Sequence, residues 1–237
     1  MNPYEKLMAR KRKWTPVQTD AGKCKEGAEQ AIYRALAMRH MELPVGDFIT
    51  DALATEVPDM ARELLLSNVK DEENHDLALS YITNAYGVDE QAEREALALR
   101  KAWTSHPDHT ILKAMVAERA IFFVLLPFFR FNGDAGMRTV SADISRDEQV
   151  HVATNSIVCK ELGLEASPSL DKLRKATINW VMEPLGINTN QKLDRNFWTK
   201  SSDNLMYQGK APELSFTKSA RAIAFFEHSN VNLPSYA

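Results

Sequence analysis

Six side chains able to ligate a metal recur in this chain as two matching triplets. Glu72-Glu73-Asn74-His75 and Glu148-Gln149-Val150-His151 each contain Glu-x-x-His, and a further carboxylate, Glu42 or Glu118, stands thirty residues before each. The triplet Glu42/Glu72/His75 thus returns as Glu118/Glu148/His151 at an offset of 76 residues. Residues three apart lie on one helix face, about one turn apart. A Glu-x-x-His pair from each of two helices, with one Glu from each of two others, is the inward-facing set that holds two metal ions inside a four-helix bundle. The pattern therefore demands four helices side by side.

The neighbours of each ligand fit that demand. At helical spacing the stripes read Leu65, Asn68, Glu72, His75, Leu79, Ile82 and Ile144, Glu148, His151, Asn155, Val158, Leu162. On the other two helices they read Ile111, Met115, Glu118, Phe122, Leu125 and Ala35, Met38, Glu42. Each ligand falls on the apolar side of its helix, where a bare carboxylate costs several kcal/mol to bury. Four such groups facing one core make sense with cations among them, and O/N ligands suit iron or manganese. One Glu-x-x-His alone would read equally well as a solvated or internally satisfied pair; the doubled spacing carries the argument. Glu42 lies near the end of its expected helix, and Glu29 is the alternative ligand there. His40, His106, His109 and His228 are expected to play no metal role: His40 faces away from Glu42, His106 and His109 flank Pro107 in a solvated loop, and His228 is in the tail.

Helix signals dominate the rest. The expected helices run from about Gly22 to Glu42, stopped by Pro44 and Gly46; over Asp47–Thr55; from Pro58 to Tyr86, capped by Gly87; over Asp89–Thr104; from Pro107 to Phe131; from Asp134 to Leu162, stopped by Gly163; and from Ser167 through Trp180. The pattern weakens beyond Pro184, and no segment alternates like a strand. Pro127 should bend the helix that carries Glu118. That bend reads either as a packing kink or as a distortion that lets ligands move. The 237 residues suit one domain, 1–208, followed by a tail, 209–237. A net charge of −3 gives no reason to expect nucleic acid. No apolar run is long enough for a membrane span, and the opening residues are not expected to act as a signal peptide. Two cysteines, Cys24 and Cys159, suit a reduced, cytoplasmic protein.

Arg146-Asp147-Glu148-Gln149-Val150-His151, preceded by Ile144, resembles the Arg-Asp-Glu-x-x-His segment of the small, radical-generating subunit of class I ribonucleotide reductase. Trp14-Thr15-Pro16 resembles that family's Trp-x-Pro, and Glu118 with Phe122 one turn on extends the match over residues 14–162. The resemblance implies an all-α, ferritin-like four-helix bundle with flanking helices, and a homodimer. It implies that Glu42, Glu72, His75, Glu118, Glu148 and His151 bind two metal ions. Asp147 would link a metal-bound histidine to Trp14, a stepping stone for an electron. The tail would dock on a large subunit that makes deoxyribonucleotides. Tyr236 is the candidate redox tyrosine; the alternative is a hydrophobic docking tail anchored by Phe225 and Phe226.

The chain departs from the family where it matters for the radical. The family's usual radical tyrosine falls at Leu79, four residues after His75. Tyr81 and Tyr33 each lie nine residues from a ligand, about 180° around the helix, and Tyr86 is about 21 Å along its axis. The resemblance to the family's tyrosine-lacking members implies that the oxidant is the metal pair itself, manganese–iron or dimanganese rather than di-iron. Two other readings stay open. One is a stand-alone di-metal oxidase or oxygenase with Leu79, Phe122 and Leu126 lining a substrate pocket. The other is a ferritin-like metal-storage protein.

Overall fold

Each of the four ligand-bearing segments folds as helix, and they lie against one another as the doubled triplet requires. The computed structural model describes residues 2–215 apart from Thr19 and Glu56. In chain order the helices are α1 (Pro3–Met8), α2 (Glu29–Ala37), α3 (Glu42–Leu53), α4 (Arg62–Tyr86), α5 (Glu90–Thr104), α6 (Thr110–Ala117), α7 (Phe123–Asn132), α8 (Ala135–Glu161), α9 (Pro168–Met182) and α10 (Arg195–Gln208). No strand occurs among the described residues, so the protein is an all-α bundle as expected. No described helix is long and apolar enough to cross a membrane.

The core is a square. α3 packs on α4 and on α6, while α8 packs on α4, α6 and α7. The expected stripes point inward: Leu65, Asn68, Glu72, His75, Leu79 and Ile82 of α4 are buried, as are Ile144, Glu148, His151, Asn155 and Val158 of α8. Around the square, α1 lies on α4 and α8, and α5 and α9 lie against α2. Tyr4 of α1 is buried and donates its hydroxyl to Glu161 at the end of α8, 3.0 Å away. The described residues between α1 and α2 form no helix.

Several helix boundaries follow the expected caps. Gly87 ends α4 at φ 97°, Ser167 accepts the Leu170 N–H ahead of α9, and Asp134 accepts the Met137 N–H ahead of α8. Three expectations fail. Residues 22–28 are not helical, and the first helical segment does not stop at Pro44 and Gly46. Instead α2 tightens into a 3-10 turn over Met38–Met41, and α3 begins at Glu42 and continues through both residues to Leu53. Pro44 is the third residue of α3, within the first turn, where a missing N–H leaves no bond unmade. Gly46 is where α3 meets α4: a Cβ there would stand 3.5 Å from the Glu72 side chain.

The second failure is the place of the distortion in the helix expected over Pro107–Phe131, a stretch that is helical from Thr110 to Asn132. The stretch passes at Glu118–Phe122 through a wide turn in which the Phe123 N–H reaches the Glu118 carbonyl, five residues back. Pro127 sits inside α7, after the wide turn, so the irregularity falls at the ligand and not at the proline. The third is α10, which the weakening pattern beyond Pro184 did not announce. Asp194 caps its start and Gly209, at φ 69°, its end.

α10 braces the wide turn. Ser202 donates to the Ala120 carbonyl at 2.6 Å, and Arg119 Nε donates to the Leu205 carbonyl at 2.9 Å. Arg174 of α9, fully buried, holds α10 in place through Ser202 and Asp203, both at 2.7 Å.

Asp134 does two jobs, capping α8 and accepting the Gly22 N–H at 2.8 Å. Asp134→Ala is expected to lower unfolding stability by about 2 kcal/mol, measured by urea denaturation, since it removes a cap and orphans a second donor.

Candidate metal centre

All six expected ligands meet in the middle of the square. Glu42, Glu118, Glu148, His75 and His151 are wholly buried, and Glu72 nearly so. They come from four places in the bundle: Glu42 from the first residue of α3, Glu72 and His75 from the middle of α4, Glu118 from the wide turn, and Glu148 and His151 from the middle of α8.

The distances sort them into two overlapping sets. Ligand atoms of Glu42, Glu72, His75 and Glu148 all lie within 4.8 Å of one another, as do those of Glu72, Glu118 and His151. Glu72 belongs to both: its Oε2 is 3.2 Å from His75 Nδ1 and its Oε1 is 3.0 Å from His151 Nδ1. Glu148 Oε1 also stands between the histidines, 3.4 Å from His75 Nδ1 and 3.8 Å from His151 Nδ1. Glu42 attends His75 at 3.7 Å, and Glu118 attends His151 at 3.8 Å. The geometry is that of two positions, each with one carboxylate and one imidazole, sharing two carboxylates between them. The two imidazole rings lie 5.6 Å apart, centroid to centroid.

The donor set fits a pair of cations on a direct observation. Both oxygens of Glu42, both of Glu148, Oε1 of Glu72, Oε1 of Glu118 and Nδ1 of His151 are buried without a hydrogen-bond partner. Buried polar atoms are otherwise almost always satisfied. His151 Nδ1 and Glu72 Oε1 are near each other yet not aligned to bond, so both are free to serve a third body.

The outer nitrogens of the histidines point away from this cluster. His75 Nε2 stands 3.4 Å from Asp147 Oδ2, and Trp14 Nε1 donates to the same oxygen at 2.5 Å. The indole stacks on the His75 ring at 6.3 Å. His151 Nε2 stands 2.9 Å from Asp71 Oδ2. Carboxylates on the outer nitrogen fix a ligating imidazole with its inner nitrogen free. Asp71 was not singled out from the sequence, although the repeat held the signal: Asp-Glu-x-x-His occurs at 71–75 as at 147–151. Asn155 was noted only as a stripe residue; its Nδ2 donates to Glu118 Oε2 at 2.6 Å.

The remaining candidates lie elsewhere. Glu29, the alternative to Glu42, accepts the Gly27 N–H at 2.8 Å and is exposed. His40 bonds Glu93 at 2.7 Å, away from the cluster as expected. His109 caps α6, whereas His106 is largely buried beside Asp108 and not solvated as its loop position suggested. Tyr33 and Tyr86 pair with each other at 5.1 Å. Tyr236, Phe225, Phe226 and His228 lie outside the described residues.

Without metal these groups perturb one another strongly. Burial pushes Glu42 up to about 8 and raises Glu118 and Glu148 for the same leading reason. Burial opposes the charge on Glu72 too, but the flanking imidazoles win and hold it well below the usual carboxylate range. Burial likewise works against protonated His151, yet Glu72, Asp71 and Glu148 push it up to about 10. His75 rises well above its ordinary value through Asp147, Glu148, Glu42 and Glu72, again against burial.

A cation must therefore displace protons to enter. Apparent affinity is expected to rise with pH between about 6.5 and 8, roughly tenfold per unit for each proton displaced, as read by titrations at several pH values. The metal-free protein should show the linked change in stability. Groups with raised values contribute stability below their unfolded values and lose it as pH climbs through their folded ones. Metal-free protein is expected to lose thermal stability as pH climbs from about 4.5 to 8 through Glu42 and from about 6.5 to 10 through His151, and bound metal to abolish that loss.

No protein-family model, curated protein or solved structure matches this chain.

Proposed function

We propose that the chain is the small subunit of a class I ribonucleotide reductase, holding an oxidising equivalent for a separate large subunit that makes deoxyribonucleotides. The observation that carries this reading is the contact path from His75 Nε2 to Asp147 to the Trp14 indole N–H. A centre that only stored metal, or oxidised a substrate bound beside it, has no use for an oxidisable ring tied to a ligand histidine from outside the bundle.

In this proposal Glu42, Glu72, His75, Glu118, Glu148 and His151 hold two ions, manganese with iron or manganese alone. Bound there, the pair would supply a stored one-electron oxidising equivalent. The chain's own residues do the rest. Asp147, held below its ordinary value by His75 and Trp14 against the effect of burial, stays anionic and keeps His75 turned with Nδ1 inward. Trp14, half-buried, ends the path at the surface. The tail, with Tyr236, would carry the path onward to the large subunit. A homodimer working in the cytoplasm belongs to the same proposal.

Leu79 supports placing the oxidant on the metals. It is buried in the core four residues after His75, and its side chain cannot be oxidised to a phenoxyl radical. Leu79, Phe122 and Leu126 are all buried apolar side chains, and this favours a di-metal oxidase as the second reading. Deleting residues 213–237 separates the two, because an oxidase would be indifferent to it.

Trp14→Phe is expected to abolish turnover with a large subunit while leaving metal content unchanged. Unaltered turnover would sink the proposal. After activation, no narrow tyrosyl signal is expected in the EPR spectrum.

A further inference from the structure

The 76-residue symmetry extends past the ligands and then breaks. Asp71 precedes Glu72 as Asp147 precedes Glu148. Each aspartate backs the histidine of the other motif, Asp147 behind His75 and Asp71 behind His151. What covers the two aspartates differs. Asp147 receives an uncharged donor, the Trp14 indole; the Arg12 guanidinium stands 3.8 Å off and bonds Asp143 instead, at 2.8 Å to its carbonyl and 3.0 Å to its carboxylate. Asp71 receives the Lys11 ammonium directly. The same ammonium donates to Asn68 Oδ1 at 3.0 Å, and Asn68 is wholly buried one turn before Glu72. Lys11 and Asp71 are themselves mostly covered, at 11% and 14% side-chain exposure, so solvent does not wash out the pairing.

The inner sides differ in the same sense. Asn155 occupies one oxygen of Glu118, whereas Leu79, its counterpart 76 residues earlier, offers no donor, and both oxygens of Glu42 are free. A carboxylate on the outer nitrogen makes an imidazole a stronger donor. A cation on that carboxylate weakens the effect and adds its own repulsion toward an incoming ion.

We propose that Lys11, acting through Asp71, makes the two metal positions unequal, so that the Glu42/His75 position fills first and the Glu118/His151 position second. Lys11 is a positioning residue here. The inference rests on the di-metal reading above but not on the reductase assignment.

Stepwise Mn(II) titration of the full chain, following free ion by EPR, tests it. Wild type should bind two ions in separable steps, with Glu42→Gln removing the tight one and Glu118→Gln the weak one. Lys11→Met should tighten the second step about fivefold and leave the first within about twofold, the size of effect one partly covered charge can exert. Asp71→Asn should weaken the second step by about 10- to 100-fold. Lys11→Arg should restore the wild-type spacing. Two equal steps in wild type, the reverse order in the Gln variants, or equal weakening of both steps by Lys11→Met would overturn the inference and leave the centre intact. Absence of any stoichiometric binding to wild type would overturn the di-metal reading itself.

Discussion

Four carboxylates and two imidazoles buried in one small space set the terms for the rest of this molecule. Most of their oxygens face one another without donors, and charge of one sign in a low-dielectric interior is tolerated only when protons or cations intervene. The metal-free centre resolves the conflict with protons, raising Glu42, Glu118 and Glu148 toward their neutral forms and both histidines toward their charged ones. A pair of cations would resolve it too, by engaging the orphaned carboxylate and imidazole atoms. The centre requires a rigid bundle for the same reason: the groups would separate if the four helices could slide.

Two devices outside the square supply that rigidity. α10 grips the wide turn at Glu118 through Ser202 and Arg119, satisfying backbone groups that an irregular turn leaves exposed. The segment after α1 lays Lys11 and Trp14 across the two aspartates that hold the histidines. One brace acts on a ligand through the backbone and the other on two ligands through their outer nitrogens. The internal symmetry places the ligands, and these unsymmetrical additions distinguish them.

The ligand set was legible because its information is local and repeated. Three-residue spacing puts Glu72 with His75 and Glu148 with His151 on one face whatever the rest of the chain does, and apolar neighbours show which face goes inward. The helices over 62–86, 90–104, 135–161 and 168–182 were legible for similar reasons, with Gly87, Asp89, Asp134 and Ser167 at their ends. The start of α3 was misread because Pro44 stops a helix only from its interior, and a glycine inside a helix, as Gly46 is in α3, weakens it without ending it. Whether Pro44 is interior or in a first turn depends on the 3-10 turn before it. α10 carries no strong periodicity, and it is placed by a buried arginine on another helix.

By itself, then, the sequence determined an all-α chain with six inward candidate ligands in two related triplets, since helical spacing and side-chain polarity are properties of neighbouring residues. The tertiary structure alone decided which ligand pairs with which, that Glu72 and Glu148 stand between the histidines, and that each aspartate backs the histidine of the opposite motif. It alone brought Lys11 to Asp71, sixty residues away along the chain. Those facts are contacts between helices, and the register of one helix against another is set by packing across the whole core, which no local pattern encodes.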